Sequence, residues 1–356
     1  MENYDLNNCC NQLVGNLEKI KQREDLWDLY TKKEEYDSPF TDKYGRFPYY
    51  FSKHRNIFEP TVSQFLIRNN FELEYPENKN FAVCLTHDID VVYPKRIVHS
   101  ARAIIDRKFA DAFKIPFSRT YKPWNSLWNF KQIMDLEAKY GAKSSFYFLA
   151  LTPGEQDFNY KIEDLEPVLG FISDSGWEVG LHGGHESYNS FEDLQEKKLR
   201  LEKVLGKEVI GYRNHFLRFK VPNTWELLSK AGFKYDSTFG YPDCPGFRNG
   251  MCHPFRPYNS ETGKEVEILE IPLVIMDRTL ESYMRLDLEN AWGLAKQLID
   301  TVEKCKGVIT ILWHNTQMQG ENLKFYEKLL KYCSKKNAWL TSGENICNFW
   351  ESQVHG

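Results

Sequence analysis

From about residue 80 to residue 336, short apolar runs alternate with stretches whose apolar residues recur at helical spacing. The runs at 81–88, 144–151, 177–182, 208–213, 234–239, 268–275 and 307–313 have the length and continuity of buried strands. The stretches at 97–113, 127–140, 161–175, 190–205, 222–231, 286–305 and 322–336 predict helices. Gly141, Gly176, Gly206 and Gly232 fall where a helix C-terminus releases the chain. Ser190-Phe-Glu-Asp193 has the spacing of a capping box, with Ser190 as N-cap. Such alternation predicts a parallel sheet with crossover helices, and seven units of it predict an α/β fold of the distorted or incomplete (β/α)7 barrel type.

Residues 1–77 follow another pattern. They hold charge-rich helical pieces such as 13–29, a turn-rich aromatic stretch around Tyr44-Gly-Arg-Phe-Pro-Tyr-Tyr50 and a helix near 60–69, but no cluster with chemical potential. This predicts a mainly helical, partly irregular extension that packs on a barrel spanning 78–356 and closes its open side.

Barrel sites lie at the C-terminal ends of the strands, which makes the residues just past each run the informative ones. They are Asp88 and Asp90, His182 and His185, Arg213 and His215, Asp236, Asp277 and His314. The first pair ends the run Phe81-Ala-Val-Cys-Leu-Thr-His-Asp-Ile-Asp90. Period-two alternation puts Thr86, Asp88 and Asp90 on one face and Leu85, His87 and Ile89 on the other. Two carboxylates side by side repel unless one keeps its proton or a cation lies between them. In Trp177-Glu-Val-Gly-Leu-His-Gly-Gly-His-Glu-Ser-Tyr188 two imidazoles stand three residues apart on glycine-bearing backbone, followed by Glu186. Imidazole nitrogen with carboxylate oxygen suits zinc with a position open for water, and also cobalt, nickel or iron.

Taken together, these segments resemble the polysaccharide deacetylase superfamily, the NodB-type or family 4 carbohydrate esterases, over roughly residues 80–320. Thr86-His-Asp-Ile-Asp90 is similar to the first motif, Thr-Phe-Asp-Asp, with one residue inserted between the carboxylates. The resemblance implies Asp88 as general base and Asp90 as metal ligand. The second motif has two histidines four apart; here His182 and His185 are three apart. This implies Asp90, His182 and His185 as the metal set, with Glu186 as a substitute third ligand. Arg213, in Gly211-Tyr-Arg-Asn-His-Phe-Leu217, resembles the arginine that holds the base carboxylate. Tyr235-Asp-Ser-Thr-Phe-Gly-Tyr241 and Pro245-Gly-Phe-Arg-Asn-Gly250 look like the fourth motif region, where Asp236 and Arg248 either line the substrate site or fasten the loop. Ile311-Leu-Trp-His-Asn315 resembles the fifth motif, implying His314 as general acid and Leu312 and Trp313 beside the acyl group. The implied activity is metal-dependent removal of an N-acetyl or similar acyl group from a sugar or sugar conjugate, most simply with zinc.

Composition narrows the classes. A formal net charge of −4 and a pI near 6.2 leave no basic footprint for nucleic acid. Aromatic residues make up 15% of the chain, supplying flat rings that suit the apolar faces of sugars. No apolar run is long enough to span a membrane and the first ten residues lack a secretory pattern, which predicts a cytoplasmic enzyme acting on a precursor of surface polysaccharide. The eight cysteines show no paired spacing and read as reduced core thiols. Two other readings share the barrel: a hydrolase of a non-sugar amide or cyclic ureide, and a catalytically silent sugar-binding module.

Overall fold

The computed structural model describes residues 17–36, 38–93 and 127–355. The helix expected at 97–113 lies outside the described residues. Before the sheet the chain forms α1 (Glu24–Thr31) and α2 (Thr61–Arg68). Then follow β1 (Ala82–Ile89), α3 (Phe130–Ala138), β2 (Ser145–Leu149), α4 (Glu166–Asp174), β3 (Glu178–Gly183), α5 (Phe191–Leu205), β4 (Gly211–Asn214) and α6 (Asn223–Lys230). The chain continues through β5 (Tyr235–Asp236), β6 (Leu269–Glu270), β7 (Leu273–Met276), α7 (Leu288–Lys304), β8 (Val308–Leu312), α8 (Gly320–Lys335), β9 (Trp339–Thr341) and α9 (Gly343–His355). Ser190 caps α5 as expected, accepting from the Asp193 amide at 3.3 Å. The four punctuating glycines all take positive φ, between 65° and 81°.

All pairings in the main sheet are parallel, in the order β6-β5-β4-β3-β2-β1-β8-β7. Both ends of this path lie on one run, residues 269–276, whose first part pairs with β5 and whose last part pairs with β8. That run, bent at Ile271 and Pro272, curls the sheet into a distorted (β/α)7 barrel. It was expected as one strand and forms two short ones, because each half follows a different neighbour. Every residue of β1 is buried, since helices cover its outer face and the barrel interior its inner one. His87 turns outward, with Nδ1 2.7 Å from the Trp313 carbonyl and Nε2 2.9 Å from Glu137 of α3.

Two elements at the C-terminus fall beyond the sequence expectation. Strand β9 pairs with the first residues of β1, at Ala82–Cys84, while β2 pairs with its last, so β9 occupies the foot of the barrel. Helix α9 then starts inside that foot. The Gly343 amide donates to Ser145 Oγ at 2.8 Å and the Glu344 amide to Glu178 Oε2 at 2.8 Å, placing a carboxyl group at the positive end of the helix. Tyr235 donates to Glu178 Oε1 at 2.6 Å and lies 2.9 Å from the Tyr147 hydroxyl. A Cβ at Gly211 or Gly343 would fall 2.3 or 2.4 Å from the Tyr235 oxygen, so both positions require glycine for close approach.

The described part of the extension shares the barrel's continuous core, contributing Ile20, Tyr30, Val62, Leu66, Phe71 and Leu73. Its polar anchors are buried. Glu35 takes a bidentate pair from Arg248, with Nε to Oε1 at 3.0 Å and Nη2 to Oε2 at 2.5 Å, and Lys32 Nζ donates to the Tyr241 hydroxyl at 2.9 Å. Arg248 also donates to the Gly240 carbonyl at 2.8 Å, so of its two sequence readings the structure favours fastening of the loop. Replacing Arg248 by Met removes both hydrogen bonds to the buried Glu35 carboxylate and leaves it only Lys32, 3.6 Å away. Urea denaturation is expected to show a loss of about 3–5 kcal/mol.

Candidate functional site

Because the strands run parallel and in register, their ends form one rim. Thr86 pairs with Leu312, Leu149 with His182, and His182 with Arg213. Each polar residue expected to carry chemistry then follows from alternation along its own strand. Asp88 and His182 face the barrel mouth from β1 and β3, Arg213 from β4, and Asp90, His215, Asp277 and His314 sit just past β1, β4, β7 and β8.

Asp90, His182 and His215 bring one ligand atom each to within 4.8 Å of one another. His182 Nδ1 lies 2.9 Å from the Arg213 carbonyl oxygen, which only accepts, so Nδ1 carries the proton and Nε2 presents a lone pair. That lone pair faces Asp90 Oδ1 at 3.1 Å, and both atoms are buried with no hydrogen-bond partner. Two acceptors aimed at each other in a buried place make a cradle for a cation, and a second hydrogen bond that fixes the tautomer is the usual support of a ligating histidine. His215 adds Nε2 at 3.8 Å from the same Asp90 oxygen. Burial pushes the His215 imidazole down to about 4 and outweighs the attraction of Asp90, so it is neutral and fit to ligate. Burial alone would raise Asp90, but nearby positive charge, which the protonated His314 ring supplies, holds its carboxyl well below the usual range. One carboxylate and two imidazoles fit zinc or a similar divalent metal.

Asp88 lies beside this cradle, 3.7 Å from His182 Nε2 on one side and 3.7 Å from Arg213 Nη1 on the other. Arg213 is fully buried and steadied by Ser237 Oγ at 2.7 Å, Thr86 Oγ1 at 3.2 Å and the Tyr147 ring beneath it, 5.3 Å from the guanidinium carbon. Across the mouth, His314 Nδ1 is 2.7 Å from Asp277 Oδ1, and the His314 amide donates to Asp277 Oδ2 at 2.7 Å. Nε2 points back toward Asp90 Oδ2 at 3.7 Å. Burial opposes charge on this ring, yet the Asp277 carboxylate, with Asp90 and Asp88 beyond it, pushes it up to about 9. Leu312, Leu217, Leu273 and Met276 form a small apolar cluster at the same mouth.

Other expected site residues are placed elsewhere. His185 does not join the cation cradle: its nearest carboxylate is Glu186, at 3.9 Å, and Glu186 pairs with Arg218 at 3.1 Å on the rim. The loop after Gly184 turns outward because Ser187 Oγ accepts from the Gly184 amide and donates to Asp193 of α5. His215 stands in the cradle instead. Its signal was its position two residues beyond Arg213, on the same face of the chain. Asp236 is fully buried and accepts from Thr238 at 2.6 Å. Burial raises both acids, Glu270 the more strongly, and parallel register sets Asp236 beside Glu270 between β5 and β6. Trp313 points away from Leu312 and stacks on Phe325 of α8, with ring centroids 5.5 Å apart. Asp277 was legible as a strand-end acid but received no role from the sequence, since its pairing with His314 joins residues of two different strands.

No protein-family model and no curated protein matches the sequence. Solved structures do match. A protein assigned as a polysaccharide deacetylase from Mycobacterium smegmatis superposes with a TM-score of 0.55 at 17% identity, over 79% of this chain and 93% of that one. Another so assigned, from Pseudomonas aeruginosa PAO1, gives 0.55 at 14% identity, over 80% of this chain and 95% of that one. The chain shares the polysaccharide deacetylase fold. At these identities the agreement concerns the path of the chain, and the chemistry rests on the geometry above.

Two measurements separate the roles assigned here. In metal analysis of zinc-loaded protein, His215→Ala is expected to lose the bound ion while His185→Ala keeps it. In pH titration of the His314 ring by NMR, Asp277→Asn is expected to lower the midpoint from about 9 toward the usual histidine value near 6.5. The sign follows because the removed carboxylate favours the protonated ring; an unchanged midpoint would show that Asp277 does not govern it.

Proposed function

We propose that this protein is a metal-dependent hydrolase that removes an N-acetyl or similar acyl group from a sugar or sugar conjugate. The observation that carries this reading is the convergence on one rim of the Asp90–His182–His215 cradle, the Asp88–Arg213 pair and the Asp277–His314 pair. The shared fold supports it. A divalent ion, zinc by preference of the donor set, would be held by Asp90, His182 and His215; when bound, it acidifies water and polarises the acyl carbonyl.

The chain's own residues account for the proton movements. Asp88 stands next to the cradle with the Arg213 guanidinium 3.7 Å away to aim it, the placement a general base requires. His314 holds its proton at neutral pH through Asp277 and presents Nε2 to the mouth, where an amine departing from the acyl carbon needs a proton to leave. The two groups face each other across Asp90, so one can take a proton while the other delivers one. Leu217, Leu273, Met276 and Leu312 give the mouth an apolar wall that fits a short acyl chain and sheds water from it.

Asp88→Asn and His314→Ala are each expected to lower kcat on an N-acetylated sugar by about 10²–10⁴. Released acetate gives the readout. Chelation should abolish turnover, and zinc or cobalt should restore it. Sugar binding without turnover under any metal would instead favour the silent module.

A further inference from the structure

Two consecutive residues just past β4, Phe216 and Leu217, have φ of 58° and 54°, in the left-handed region that side chains other than glycine rarely adopt. Strained backbone of this kind persists only where its surroundings over-determine it. This turn carries much of the site. It follows His215 directly, its Phe216 ring stacks on the His215 imidazole with centroids 4.1 Å apart, and it delivers Leu217 to the apolar wall beside Leu312.

The barrel itself holds the start of the turn, with Asn214 Nδ2 and the Arg218 amide donating to the His215 carbonyl at 2.9 and 3.3 Å, and the N-terminal extension holds its strained centre. Arg46 Nη1 donates to the Phe216 carbonyl at 2.7 Å, and Nη2 donates to the Tyr283 hydroxyl at 3.1 Å, so one buried guanidinium spans two loops of the mouth. Tyr44 stacks on the Phe216 ring with centroids 4.8 Å apart and an interplanar angle of 13°. The segment that presents them is rigid by its own bonding. Asp42 Oδ1 accepts from the Tyr44 amide at 2.8 Å and the Arg46 amide at 3.1 Å, and Asp42 Oδ2 accepts from Arg46 Nε at 2.8 Å. The Asp42 amide in turn donates to the Arg46 carbonyl at 2.9 Å. His215 Nδ1 is buried and makes no hydrogen bond; the carboxylate facing it, Asp157 Oδ2, stands 3.8 Å away, too far to fix the ring by itself.

We infer that Arg46 and Tyr44 are positioning residues for the metal centre: by clamping the strained 216–217 turn, the extension orients His215 toward the ion shared with Asp90 and His182. This rests on the metal reading proposed above. It makes residues 42–46 part of the site's support, although they touch neither the ion nor the reacting atoms.

The test is metal affinity of the full chain, measured by competition with a chromophoric chelator using zinc alone, and the visible absorption of the cobalt(II) form. Arg46→Met and Tyr44→Ala are expected to weaken zinc binding by about 10- to 100-fold, the usual effect of removing a group that orients a ligand, and to alter the cobalt bands. Arg46→Lys, which keeps one donor, should fall between Arg46→Met and the unmodified protein. Tyr30→Phe serves as control, since it removes an anchor of the extension far from the turn, the hydroxyl bond to the Arg256 carbonyl at 2.8 Å, and should bind zinc as the parent does. If the parent binds one zinc that His215→Ala abolishes, while Arg46→Met and Tyr44→Ala bind as tightly as the parent, the positioning role is wrong and the metal reading stands. Equal weakening in Tyr30→Phe would also overturn it, showing a general effect of loosening the extension. A parent that binds no zinc would overturn both.

Discussion

Two carboxylates placed two residues apart at a buried strand end need compensating positive charge, and most of the structure around the mouth supplies it. Asp88 receives its compensation from Arg213, a fully buried guanidinium on β4 braced by Thr86, Ser237 and Tyr147. Asp90 faces three imidazoles, two with lone pairs suited to a shared cation and one charged through Asp277. Without those partners the charged forms would pay a desolvation cost that a protein interior does not bear. The same arrangement that relieves repulsion therefore sets the Asp88–Arg213 pair, the Asp90–His182–His215 cradle and the Asp277–His314 pair within one mouth.

The barrel treats its two ends differently. At the foot, polar groups are satisfied internally: Glu178 accepts from Ser145, Tyr235 and the start of α9, and Tyr147 and Tyr235 fill the space that the glycines at 180, 211 and 343 leave open. At the mouth, buried polar atoms of Asp88, Asp90, His182 and His215 remain without partners. Satisfied polar networks rigidify, whereas unsatisfied ones mark where a ligand belongs.

The extension joins these two themes. Its apolar residues enter the common core, and its buried Glu35 and Lys32 hold the loop through Arg248 and Tyr241. Its segment at residues 42–46 reaches over the rim to the strained turn beyond His215. A barrel closed by one bent run has little regular structure between β5 and β8, and here residues from before the barrel brace that side.

Strand-helix periodicity, glycine stops and the capping box were legible in the sequence because they are local: period two or 3.6, and a few residues at a helix end, decide them. So was the class of chemistry, since aspartates, histidines and an arginine recur just past successive apolar runs. The short strand at 339–341 was not legible, because three residues carry no period and only the gap between β1 and β2 makes them a strand. Nor was the identity of the third imidazole. His182 and His185 are neighbours in sequence, but Ser187 and Asp193 turn the loop outward, while parallel register lays β4 beside β3 and brings His215 to the cradle. Asp277 found His314, and Arg248 found Glu35, by the same cause. The sequence by itself determined which chemical groups the strand ends would carry; only the tertiary structure decided which of them meet, because register and loop direction depend on partners far along the chain.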